Sequence, residues 1–205
     1  QKMEKNAEGI TQIRKKAAKG LEKEIIAALK DLNFMDVRFE IHFEKLSRLT
    51  PEGNDEVQFL ISMNPGEALK PLDKVASGGE LSRIMLALKS VFAKKDAIGT
   101  LIFDEIDTGV SGRTAQKVSE KMALIAKERQ IICITHLPQI AAMAQTHFLI
   151  QKSAQNQKVV TTIEKLSEEE SVEELARILG GAKITEAVYA SAREMKQMAT
   201  VIREP

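Results

Sequence analysis

Two short apolar runs, Thr100 to Phe103 and Ile131 to Thr135, flank a stretch of helical periodicity from about Thr114 to Glu128, and a further helix opens at Pro138. Strand and helix in this alternation predict parallel strands, because a helical crossover returns the chain to the same end of the sheet. Parallel strands are covered by helices and present their ligand-binding groups at the carboxyl edge. The first strand delivers Asp104 and Glu105 to that edge, and the second delivers His136.

Adjacent carboxylates at such an edge suit a divalent cation and a reacting water. Asp104 would hold a Mg²⁺ ion bridging the β- and γ-phosphates of ATP, or the waters around that ion, and Glu105 would face the water attacking the γ-phosphate. A glutamate with an ordinary pKa of about 4.3 is a weak base, so Glu105 would mainly orient and polarise that water. Upstream, Ser77, Gly78, Gly79 and Glu80 stand at a helix start, where hydroxyl and N–H groups at the positive end of the helix suit an anion. His136 would donate a hydrogen bond to a γ-phosphate oxygen. Taken singly, each feature has an ordinary alternative: solvated acids ending a strand, a plain helix start, a structural histidine. His42 and His147 have no metal-ligand spacing with Cys133 or with each other, and no zinc site is assigned. None of the 11 glycines is followed by lysine, so there is no G-x-x-x-x-G-K-[ST] loop to cradle phosphates. The chain by itself is not a complete ATPase.

The flanking segments fix the organisation. Met3, Ala7, Ile10, Ile13, Ala17, Leu21, Ile25, Ala28 and Leu32 recur near the helical period and predict one amphipathic helix of about 45 Å. Its stripe needs a partner, either the other strand of an antiparallel coiled-coil arm or the chain's own domain. Arg14, Lys15, Lys16 and Lys19 make a basic cluster, read as a solvated face rather than a DNA contact. Val37, Phe39, Ile41 and Phe43, then Val57, Phe59, Ile61 and Met63, alternate around the turn TPEGND and predict an antiparallel hairpin. The helix after SGGE carries Leu81, Ile84, Met85, Leu88 and Phe92 on one broad face. Two more strands are expected over His147 to Gln151 and Val159 to Glu164. A helix capped by Ser171 with Glu174 and stopped by Gly180 and Gly181 follows, and Thr185 starts a last one. Length (205 residues), 43% apolar content and a formal charge of +1 suit one substantial domain with an appendage and give no global nucleic-acid or membrane signal. The single Cys133 excludes an intrachain disulfide, and no apolar run approaches the roughly 18 residues of a membrane span.

In order, SGGELSR (77–83), LIFDE (101–105) and ITH (134–136) resemble the signature, Walker B strand and switch histidine of ABC-type ATPase heads of the SMC-like class. The longer stretches KPLDKVASGGELSRIMLALKSVF, LIFDEIDTGVSGRTAQ, CITHLPQIAAMA and GGAKITEAVYASARE are similar to the RecN family of bacterial DNA repair proteins, and the resemblance covers nearly the whole chain. It implies an α/β fold, the C-terminal lobe of a P-loop ATPase head with a parallel-rich sheet and flanking helices, preceded by a long coiled-coil helix. Residues 1–33 would be the returning arm of that coiled coil and 34–205 the head lobe. The N-terminal half of the same protein would carry the Walker A phosphate loop. The resemblance further implies that two heads sandwich two ATP molecules, with Ser77, Gly78, Gly79 and Glu80 of one head facing the nucleotide of the other. Asp104 with Mg²⁺, Glu105 and His136 would act on their own head's nucleotide, and Asp107, Thr108, Gly109, Val110 and Ser111 would form the D-loop. It also implies DNA, as ends or single-stranded regions, as a partner, a recombinase as another, no membrane, and a place in the cytoplasm at the bacterial nucleoid. The process implied is double-strand-break repair and recombination within the SOS response.

Two departures from the generic pattern matter. Ala76 stands where the generic signature has leucine, and Ser111 stands where the generic D-loop has aspartate. Both are similar to the RecN family and argue against a transporter subunit. A chromosome-organising SMC head would carry an aspartate in the D-loop and a lysine after SGGE, whereas this chain has Ser111 and Leu81. A non-catalytic interaction module, with Asp104 and Glu105 structural, is the alternative from another class.

Overall fold

The computed structural model describes residues 2–75, 78–93, 97–155, 158–181 and 183–203. The chain forms two compact units, Gln1–Asp96 and Ala97–Pro205.

In the first unit, helix α1 (Lys2–Asp31) is followed by strands β1 (Arg38–Thr50), β2 (Gly53–Ser62) and β3 (Lys70–Pro71), a single 3-10 turn and helix α2 (Gly78–Phe92). The expected hairpin is present and longer than its apolar core. Phe39 pairs with Ile61, Ile41 with Phe59 and Phe43 with Val57, which puts the alternating apolar residues of both strands on one face. The tip closes at Pro51 and Glu52, with Thr50 pairing Gly53, whose φ of 107° only glycine adopts readily. α1 lies along this hairpin. Its buried positions are Ala7, Ala18, Ile25, Ala28 and Leu29, joined by Leu32 just beyond its end, so the single stripe read from the sequence divides in two. Of that stripe Ala7, Ile25, Ala28 and Leu32 are buried and Leu21 is half-buried, while Met3, Ile10, Ile13 and Ala17 are exposed. Polar contacts decide this rotation: Thr11 and Arg14 both reach Asp55 on β2, and Glu22 accepts the backbone N–H of Ile41 at 2.8 Å. Arg14 therefore leaves the basic cluster for a structural role, and the Lys15 ammonium sits 5.9 Å from the centre of the Phe43 ring. On α2 the buried residues are Gly79, Arg83, Ile84, Leu86, Ala87 and Leu88, and the Arg83 guanidinium stacks over Phe34 at 5.6 Å. Met85, placed on the apolar face by periodicity, is partly exposed.

The second unit begins with the predicted βαβα run: β4 (Thr100–Phe103), α3 (Gly112–Ala126), β5 (Gln130–Cys133) and α4 (Pro138–Ala142). β4 and β5 are parallel, with Leu101 opposite Ile131 and Phe103 opposite Cys133, and the ladder extends by Ile134 N–H to the Phe103 carbonyl at 3.0 Å. Among the described residues the parallel component is this one pair. Strands β6 (Phe148–Gln155) and β7 (Lys158–Lys165) form their own antiparallel ladder, since strands only two residues apart in sequence can pair only in opposite directions. Leu101 and Phe103 are buried on the same side of β4, while Ile102, Ile132 and Ile134 on the other side of the pair are 68%, 45% and 51% exposed.

Helices α5 (Glu168–Gly180) and α6 (Glu186–Arg203) pack with α3 and α4 around Ala123, Ala141, Ala142, Met143, Leu175, Ala176, Ala192 and Ala199. The α5 start differs from expectation. Its capping box is Ser167 with Glu170, one turn before Ser171 and Glu174. Both pairs satisfy S-x-x-E, and the earlier one wins because Ser171 is buried and bonds His147 at 2.8 Å while Glu174 pairs with Arg177. Gly181 ends α5 with φ 58°, as its glycine pair predicts, and Thr185 accepts from Val188 and Tyr189 at the start of α6. Among the described residues no helix is long and apolar enough to cross a membrane.

Candidate functional site

The residues singled out from sequence fall into both units. Gly78, Gly79 and Glu80 open α2 in the first, with Gly78 exposed and Gly79 buried; Ser77, together with Ala76, lies outside the described residues. Asp104, Glu105, the Asp107–Ser111 loop and His136 belong to the second unit, where they are brought to the carboxyl ends of β4 and β5.

β4 ends at Phe103, and the next two residues turn sharply. Glu105 has φ 56°, a left-handed conformation that costs a non-glycine residue about 1 kcal/mol or more, and its N–H donates to Asp104 Oδ1 at 2.9 Å. Strain of this kind gathers where a side chain must be aimed, and it falls on the residue that sequence places beside the reacting water. Both side chains are exposed. The loop then closes through Thr108 N–H to the Glu105 carbonyl at 3.1 Å and Val110 N–H to the Asp107 carbonyl at 3.3 Å, with Gly109 at φ 74°. Ser111 is the extended residue before α3, and its side chain makes no cap bond to that helix.

Asp107 lies at the centre. Its carboxylate is only 4% exposed, and one oxygen, Oδ2, accepts from Thr135 Oγ1 at 2.6 Å and from the backbone N–H of His136 at 2.9 Å, with His136 Nδ1 3.1 Å away. Thr135 Oγ1 accepts in turn from Leu137 N–H at 3.0 Å, so residues 135–137 fold around this carboxylate. The His136 side chain is 74% exposed. Sequence reading placed Asp107 only as a member of the loop. The signal for its second role was its apolar neighbour Ile106, fully buried, which carries the following acid inward.

Cys133, at the end of β5, is a free thiol whose pKa is pushed up to about 12 by burial and by the charges of Asp107 and Asp104, which disfavours its nucleophilic thiolate form. Among the described residues no three His, Cys, Asp or Glu side chains gather as metal ligands. An exposed Asp104 at a strand end nonetheless fits Mg²⁺, which takes one or two carboxylates and completes its shell with phosphate oxygens and water.

The fold is that of an SMC-type head. Solved SMC head domains from Pyrococcus yayanosii and Pyrococcus furiosus superpose with TM-scores of 0.56 and 0.54 over 80% and 82% of this chain, covering 29% and 39% of theirs, at 21% identity. In sequence the chain resembles the DNA repair protein RecN: it is 44% identical to RecN of Halalkalibacterium halodurans over 205 residues and 42% identical to RecN of Bacillus subtilis over 212. These alignments cover 98% and 96% of this chain but 36% and 37% of the relatives, so the chain spans about a third of the RecN proteins it matches. No family model matches.

Proposed function

We propose that the chain is the C-terminal part of the ATPase head of a RecN-like protein, which hydrolyses ATP once a segment outside these 205 residues supplies the Walker A loop. The observation that carries this reading is the strained Asp104–Glu105 turn at the end of a parallel strand, with His136 held at the end of the neighbouring one. In this reading Asp104 holds Mg²⁺, which would neutralise charge developing on the β- and γ-phosphates. Glu105 orients the attacking water, and the His136 ring faces the γ-phosphate. Ser77, Gly78, Gly79 and Glu80 meet the nucleotide of a second head, so the heads pair through ATP, and Asp107–Ser111 serves as the D-loop at that interface.

Two apolar surfaces support a missing lobe and arm. Ile102, Ile132 and Ile134 leave one side of the parallel pair uncovered, whereas parallel strands in α/β folds are covered on both sides. Met3, Ile10 and Ile13 form an exposed stripe on α1, as a coiled-coil helix would before meeting its partner. Residues 1–33 are then the returning arm and 34–205 the lobe. The similarity to RecN extends the reading to double-strand-break repair in the bacterial cytoplasm, with DNA ends as the target and a recombinase as a downstream partner. A chromosome-organising SMC head is the weaker reading, since Ser111 and Leu81 depart from that class and the SMC likeness is one of fold.

ATP hydrolysis by the full-length protein, with and without linear DNA, tests the proposal beside Glu105→Gln. DNA-stimulated turnover that the variant loses supports it; equal turnover in both removes Glu105 from catalysis. The 205-residue chain alone should show no Mg²⁺-dependent turnover.

A further inference from the structure

We infer that the exposed lysine face of α1, formed by Lys5, Lys16, Lys19, Lys23 and Lys30, is the surface on which this protein holds the phosphate backbone of duplex DNA. This rests on the reading above that DNA is the target, and it places the contact on the arm helix.

At about 100° per residue these five lysines fall within a band of about 60° around the helix. All five are exposed, and among the described residues none of them enters an ion pair. The band lies on the far side of α1 from Ala7, Ala18, Ile25, Ala28 and Leu29, which are buried. Sequence alone groups Arg14, Lys15, Lys16 and Lys19 as one solvated cluster, but the structure divides it. Arg14 pairs with Asp55 and Lys15 sits over Phe43, while Lys16 and Lys19 stay exposed and join the longer row. No acid falls within the band, Glu22 is turned to the Ile41 N–H, and from Gly9 to Leu21 the helix carries no acid at all.

Two glycines border the row. Gly9 lies one turn from Lys5, and Gly20 one turn from both Lys16 and Lys23; a Cβ at either would meet nothing within 4 Å. Glycine is a poor helix former, and neither residue makes way for another element of this chain, so both leave room for a backbone that arrives from outside. The exposed Met3, Ile10 and Ile13 lie about 130° round the helix from the lysines. A second arm helix that covers them leaves the lysine row open, so the two faces suit different partners.

From Lys5 to Lys30 the row is about 37 Å long, close to one turn of B-DNA at about 34 Å. Duplex DNA carries one negative charge per about 1.7 Å of its axis, so a straight row of ammonium groups meets phosphates along its length and binds by releasing counterions, without reading sequence. α1 has no aromatic residue on which unstacked bases could lie, which favours the duplex over a single strand. The row also lacks the large apolar side chains that would enter a lipid surface.

The triple variant Lys16→Gln, Lys19→Gln, Lys23→Gln tests this in the full-length protein, by fluorescence anisotropy of a labelled linear duplex across a range of salt. The slope of log K against log salt should flatten by about 2–3, since each phosphate contact contributes about 0.9, and affinity at physiological salt should fall at least about tenfold for unrelated sequences alike. Tm and DNA-free ATP turnover should stay at the wild-type level, because all three side chains are exposed. Gly20→Leu should leave Tm level or higher, since leucine is the better helix former and the space is open, yet weaken duplex binding. A wild type that binds duplex and a triple variant with the same salt slope overturn this surface alone. A loss of Tm with an unchanged slope assigns the row to the second arm helix and likewise overturns it. A greater loss on single-stranded than on duplex DNA overturns the choice of duplex. A wild type that binds no DNA removes the proposed target and this surface together, while Glu105-dependent ATP turnover would still stand.

Discussion

The Asp55 carboxylate on β2 and the Arg14 guanidinium on α1 lie 3.1 Å apart, with the Asp55 side chain 4% exposed, and Thr11 donates to the other carboxylate oxygen at 2.6 Å. This pair fixes the rotation of α1 on the hairpin. Burial alone would push the Asp55 carboxyl up, but the Thr11 hydroxyl, Arg14 and Lys15 outweigh it and hold the group below its ordinary 3.8.

A carboxyl depressed in the folded state contributes stability that is present above its unfolded pKa and lost as pH falls through the folded one. Asp55→Asn should therefore cost about 1–2 kcal/mol at pH 7, and the gap from wild type should close as pH drops below 3.8. Thermal melts across that range measure it; a gap that is constant with pH would mean the charge plays no part.

Glu105→Gly separates aim from stability. At an ordinary φ, exchanging a side chain for glycine costs roughly 0.5–1 kcal/mol. At φ 56° the same exchange relieves a left-handed strain of similar size, so the Tm of the chain should stay level or rise while the full-length protein loses hydrolysis. A clear drop in Tm would show that Glu105 is held by contacts that stabilise the fold.

Gly78→Asp tests the pairing of heads. Gly78 is exposed at the start of α2, where a negative side chain is favourable for the helix itself. It would also stand where the phosphates of a second head's nucleotide are proposed to bind. Sedimentation of the full-length protein with ATP should then show monomers, with ATP still bound by each. Nucleotide-dependent dimers of undiminished stability would displace the signature from that interface.

Cys133 reports on the same carboxylates. Pushed up to about 12 by burial first, then by Asp107 and Asp104, the thiol should react with a disulfide reagent at pH 8 at least about tenfold more slowly in the native chain than in the unfolded one. Asp107→Asn should speed the native reaction. Equal rates in folded and unfolded chain would mean that the β5 end opens readily.

The elements that depend on local patterning were legible in the sequence: the β4–α3–β5 alternation, the long first helix, the alternating faces of the hairpin, and the Gly181 stop of α5. Each follows from period, propensity or turn chemistry within a few residues. The pair Asp104 and Glu105 was legible for the same reason, as two acids at the end of an apolar strand. The α5 cap was not, because two overlapping S-x-x-E patterns are equivalent locally and only His147 and Arg177 distinguish them. The division of the α1 stripe was likewise settled by Asp55, 41 residues beyond Arg14. What the sequence alone determined is the order of elements and the residue types at the strand ends. What only the tertiary structure decided is that Asp107, drawn inward beside buried Ile106, holds Thr135 and His136 from 28 and 29 residues away. A buried carboxylate must find its donors wherever the fold brings them, and no local period encodes that choice.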